Sequence, residues 1–168
     1  MLATNEKTGL RQLMRDNPSA LFETVAAEHS VTCRAVVEAL PDEMRKIAPG
    51  AAFLDAMADM ATWGDVTFLI HTEDGIFEIS GPVPPGSVGR GYFNLSGPTA
   101  LHGHLRYERC AAVAFVERPF MGKPSASALF ISQSGGFMFK VFVGRDESRA
   151  LKTDQLEKFR ALARRLAA

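Results

Sequence analysis

Four histidines occur in the 168 residues, and three of them fall in segments patterned like β-strands. In LHGHLRY (101–107) the two-residue period of a strand places His102, His104 and Arg106 on one face, with Leu101, Gly103, Leu105 and Tyr107 on the other. In VTFLIHT (66–72) His71 stands at the strand end, on the face opposite Val66, Phe68 and Ile70. A neutral imidazole offers a lone pair to a metal, and a guanidinium offers a fork to a carboxylate. Two imidazoles and a guanidinium on one face therefore raise metal ligation beside an anion contact. Taken singly, each histidine reads as an ordinary solvated or hydrogen-bonded residue, and His29, alone on a helical stretch, stays so. H-x-H is also too little for zinc, since no acidic or cysteine partner lies nearby in sequence.

Two further segments carry unusual chemistry. GPVPPGSVGRGYFNLSGP holds glycines that allow close approach of backbone to a flat ligand, followed by Arg90 and Tyr92. ERPFMGKPSAS (117–127) sets Arg118 and Lys123 around Phe120 and Met121, read as a wide hairpin loop. Apolar groups ringed by cations suit an amphiphilic anion such as a porphyrin with propionates. No GxSxG, HExxH or P-loop is present, and Gly89-Arg90-Gly91 precedes a strand where a dinucleotide fingerprint would open a helix.

The elements that must position these residues change character along the chain. Residues 1–62 form a helical front end. Leu10, Leu13 and Met14 sit at helical spacing before Asn17-Pro18. Pro18 suits the first turn of a helix over 18–28, Thr32 caps one over 31–40, and Phe53, Leu54, Met57 and Met60 stripe one over 50–62. From 63 to 146 the runs become β: 66–72 and 75–80 around an Asp74-Gly75 turn, a loop over 81–91, then 91–95, 101–107, 110–117, 125–132 and 136–144. Residues 150–167 close the chain with a helix from Lys152, burying Leu156, Phe159, Leu162 and Leu166. Consecutive strands without intervening helices predict an α+β fold, an antiparallel sheet of about seven strands with helices segregated to one side.

Length and composition suit one domain over 1–168, with 46% hydrophobic and 23% charged residues. Nineteen basic residues balance nineteen acidic ones without a basic block, so nucleic acid is not expected. Residues 1–64 carry six bases against nine acids and residues 65–168 thirteen against ten, so an anionic ligand belongs to the second half. Cys33 and Cys110 lie in apolar surroundings with no CxxC and read as buried thiols of a reducing compartment. No apolar run approaches the roughly 18 residues of a membrane span, and no signal-peptide layout is seen, so the expectation is cytoplasmic.

The wording of VTFLIHTEDGIFEISGPVPPGSVGRGYFNL, GHLRYERCAAVAFVERPFMGKPSASALFI and FKVFVGRDESRALKTDQLEKF resembles the intracellular haem-utilisation proteins of the HutX/ChuX-like family, from about Gly50 to the C-terminus. The resemblance implies a saddle-like sheet, a homodimer and a haem cargo accepted after import and passed to a downstream haem-accepting protein. It implies His71, His104 and Tyr92 as positions matching iron ligands, with Arg90, Arg118, Met121 and Lys140 as accompanying haem contacts; His102 is secondary. Double-length relatives make haem breakdown with reductant and oxygen the enzymatic alternative to a carrier. A dimeric protein-interaction module is the third reading.

Overall fold

In the computed structural model residues 4–167 are described, as five helices and nine strands in two antiparallel sheets. The helices are α1 (Thr4–Asp16), α2 (Phe22–Glu28), α3 (Cys33–Glu38), α4 (Phe53–Met60) and α5 (Thr153–Leu166). The strands are β1 (Arg45–Pro49), β2 (Asp65–Thr72), β3 (Gly75–Pro82), β4 (Ser87–Gly89), β5 (Tyr92–Leu95), β6 (Gly103–Leu105), β7 (Cys110–Phe120), β8 (Lys123–Ser132) and β9 (Phe137–Phe142). The larger sheet runs β1-β7-β8-β9-β2-β3 and the smaller β4-β5-β6. The α+β class and the antiparallel sheet are as expected, with helices now seen on both faces.

Alternation along the central strands divides the core in two. Ala112, Ala114, Val116, Leu129 and Ile131 face α1–α3, packing on Met14, Phe22, Val36 and Val37. Val113, Phe115, Phe130, Phe139 and Phe68 face the other way, against α4, α5 and the small sheet. Phe53 of α4 is the hinge of that second layer. Its ring meets Phe130 and Phe139 of the large sheet and Phe93 of the small one, with centroids 5.2, 6.0 and 5.7 Å away. Phe93, Leu95 and Leu101 thereby press one face of the small sheet into the core and leave the other to solvent.

Several local expectations are corrected. Helix α2 starts at Phe22, so Pro18 is outside it. The carbonyls of Pro18 and Ala20, which a helix would have used, instead accept from the Arg118 guanidinium at 2.8 and 2.6 Å. Thr32 does cap α3, its hydroxyl accepting from the Ala35 amide at 3.1 Å. The turn between β2 and β3 is Glu73-Asp74, with Gly75 already paired to Thr72. The 81–91 loop contains β4, which pairs with β5 in three residues. LHGHLRY shortens to β6, so His102 and Arg106 flank the strand and Tyr107 begins a 3-10 turn. The wide loop at 117–127 is a tight hairpin: Phe120 pairs with Lys123 across Met121 and Gly122, whose φ values of 49° and 74° fit the turn that matches strand twist. Strand β1 was not anticipated, because RKIAP is charged, proline-bearing and at a sheet edge. Cys110 is buried, whereas Cys33 is only partly so.

Candidate functional site

The proposed ligands fall in two places. His71 belongs to the face of the large sheet that α1–α3 cover. Leu69 of β2 pairs with Lys140 of β9, so His71, two residues on, shares the face with Lys140. Glu23, in the first turn of α2, reaches down between them. Its Oε1 accepts from the Lys140 ammonium and lies 3.0 Å from His71 Nδ1. A carboxylate only accepts, so His71 Nδ1 carries the hydrogen and, in the neutral ring, the lone pair sits on Nε2. Burial pushes the Glu23 carboxyl upward, but Lys140, bonded to it, and His71 more than reverse this and hold it below its ordinary value. The second oxygen, Oε2, is buried without a hydrogen-bond partner.

Beyond α2 the same face opens into a groove of about 540 Å3. Leu69, Phe142, Phe120 and Met121 give it an apolar lining, and Lys123, Arg145 and Arg149 bring three cations against one acid, Glu78. The volume is that of a small-molecule or cofactor site. Met121 is 83% exposed at the hairpin tip. Arg118 stands on this face too, but its charge is engaged: besides the two carbonyls it lies 3.7 Å from the Phe22 ring centroid, and burial lowers its pKa to about 10.

Tyr92 and His104 lie elsewhere, on the solvent face of the small sheet. Asn94 pairs directly with His104, and Tyr92 precedes Asn94 by two residues on the same face. The Asn94 amide nitrogen donates to the carbonyls of Ser87 and Gly89 at 3.1 and 3.3 Å, which turns its oxygen toward His104 Nδ1, 2.6 Å away. His104 Nδ1 is therefore a donor as well, and its Nε2 is again the lone-pair atom. The rings of Tyr92 and His104 meet edge to face at 5.9 Å, and the Arg106 guanidinium lies 5.7 Å from the Tyr92 ring. Arg90 forms, with Gly91, the two-residue turn between β4 and β5.

His71 and the Tyr92–His104 pair are thus separated by the large sheet and by the core layer beneath the small one, which at about 10 Å per packed layer keeps them off a common iron within one chain. Among the described residues no three His, Cys, Asp or Glu side chains gather around one point. His102 is exposed outside β6, and His29 is the exposed C-cap of α2. Reading the sequence missed Glu23 and Asn94. Asn94 had a weak signal, the alternation Tyr92-x-Asn94; Glu23 had none.

Fold and geometry define a class: a small α+β protein offering single imidazoles, one of them on the sheet face that opens into a groove with apolar lining and three cations. A family model described as "Haem utilisation ChuX/HutX" matches residues 46–162, and the chain belongs to that family. The "Intracellular heme transport protein HutX" of Vibrio cholerae is 38% identical over 152 residues, 90% of this chain and 79% of that one. A protein of Erwinia carotovora of known structure is 43% identical with a TM-score of 0.90, covering 94% of this chain and 98% of its own. The "Heme Binding Protein ChuX" is 38% identical with a TM-score of 0.87, over 95% and 99% of the two chains. Longer proteins share the fold alone: an E. coli "Heme Oxygenase", ChuS, is 16% identical with a TM-score of 0.69, and 48% of its chain is covered. No described helix is long and apolar enough to cross a membrane.

Proposed function

We propose that this chain is a cytoplasmic haem carrier that takes up haem after import and delivers it to use, storage or degradation. The observation that carries the proposal is the groove of about 540 Å3 on the His71 face, apolar along Leu69, Phe142, Phe120 and Met121 and cationic at Lys123, Arg145 and Arg149. A porphyrin needs both, an apolar wall for its macrocycle and cations for its propionates. His71, two residues along β2 from the groove-lining Leu69 and on the same face, is the iron ligand. Arg118 contributes by fixing the groove wall against the α1–α2 connection. Tyr92 and His104, with Arg90 close by in the turn, form the exposed position where haem arrives or departs.

The relatives named for heme transport and heme binding support the carrier reading over breakdown. A homodimer belongs to the same proposal. Edge strand β3 presents Ile76 and Phe77, 57% and 58% exposed, which a partner protomer would cover. The test is a haemin titration of the apoprotein, followed by absorbance. The wild type gives a shifted Soret band saturating at one haem per chain. A triple replacement of His71, Tyr92 and His104 that left the band unaltered would overturn the site.

A further inference from the structure

The groove does not explain why Glu23 is where it is. An acid placed half-buried under α2 beside one cation would make an ordinary ion pair with Lys140, yet Glu23 also meets His71 Nδ1 at 3.0 Å and leaves Oε2 buried and unpartnered. Both Lys140 and His71 converge on a single oxygen. Since the ammonium has no acceptor to offer and the carboxylate no donor, the arrangement dictates the His71 tautomer without help from the ligand. Where a histidine binds a metal, a carboxylate on its other nitrogen fixes the ring's orientation and strengthens it as a donor. By contrast His104 has a neutral amide in that position, Asn94 at 2.6 Å.

We propose that Glu23 is the positioning residue of His71: it holds the Nδ1–H, directs Nε2 to the haem iron and, by its negative charge, biases the bound haem toward the ferric state, with Lys140 setting how much of that charge His71 feels. This rests on His71 being the iron ligand. It adds a role for α2, which then serves the haem site as well as the core. His71, with its acidic partner, becomes the holding ligand, and His104, with its neutral one, the weaker donor.

The charge balance gives opposite signs to two replacements, which a merely structural role would not. Glu23→Gln removes the charge, so the Fe(III)/Fe(II) midpoint potential of the bound haem rises and ferric haem binds about tenfold more weakly. Lys140→Met leaves Glu23 to His71 alone, so the potential falls. Both are measured by spectroelectrochemical titration of the haem-loaded full chain, with His71→Ala alongside. Should Glu23→Gln fail to fold, the downward shift in Lys140→Met still decides the matter. Potentials unmoved in both variants, while His71→Ala changes the spectrum of bound haem, would overturn the role of Glu23 and leave the haem site standing. If His71→Ala leaves spectrum and affinity unchanged, the assignment of His71 fails and that of Glu23 with it.

Discussion

Arg118 on β7 and Glu23 on the helix α2 that covers it show how differently two charged side chains at one interface are employed. Arg118 donates to the carbonyls of Pro18 and Ala20 and stacks on Phe22, so Arg118→Met should lower unfolding stability by about 2 kcal/mol in urea melts while leaving the Soret maximum of bound haem in place. Glu23, held below its ordinary value chiefly by Lys140 once burial has been overcome, links stability to pH. Because the folded pKa is the lower one, its contribution is present above the unfolded value of about 4.3 and is lost as the pH falls through the folded value. The wild type should therefore exceed Glu23→Gln in stability at pH 6, and the gap should close below pH 4; a gap constant across that range contradicts the ion-pair account. His71, Tyr92 and His104 stand out as candidates by residue type and by resemblance. Their partners were not, because Glu23 reaches Lys140 across 117 positions and Asn94 meets His104 only through the β5–β6 register.

The elements were legible where periodicity is long and illegible where three residues make a strand. β7, β8 and α5 announce themselves by alternation and by a helical stripe, whereas β4 and β6 exist only because β5 pairs on both sides of itself. Strand β1 owes its place to an edge of the large sheet and to the turn that follows it. In that turn a Cβ on Gly50 would lie 1.9 Å from the Cys110 carbonyl oxygen, so α4 can dock on β7 only through a glycine. Gly50→Ala should thus cost about 2 kcal/mol and lower the melting temperature by roughly 5 °C, read by calorimetry. Since α4 carries Phe53, which joins the two sheets, the same variant should also loosen the Tyr92–His104 face while sparing His71.

At the scale of the molecule, the large sheet and the core layer beneath the small sheet separate two imidazole positions, one sheltered beneath α2 and one open to solvent. A carrier with such a division should hold haem at one and exchange it at the other. His104→Ala and Tyr92→Phe are therefore expected to slow transfer to apomyoglobin in stopped flow without weakening equilibrium binding. Carriage without breakdown predicts a Soret band that persists under ascorbate with catalase present. Loss of the band with release of iron would favour the enzymatic reading instead. If the proposed homodimer forms through β3, light scattering gives a mass of twice the chain, reduced to one chain by Phe77→Glu; a monomer in the wild type overturns it. That His71 holds the iron is tested most directly by a side-by-side haemin titration of His71→Ala and His104→Ala. Binding weaker by about tenfold or more is expected for the first variant and wild-type affinity for the second. Wild-type affinity in His71→Ala with loss of binding in His104→Ala would contradict it.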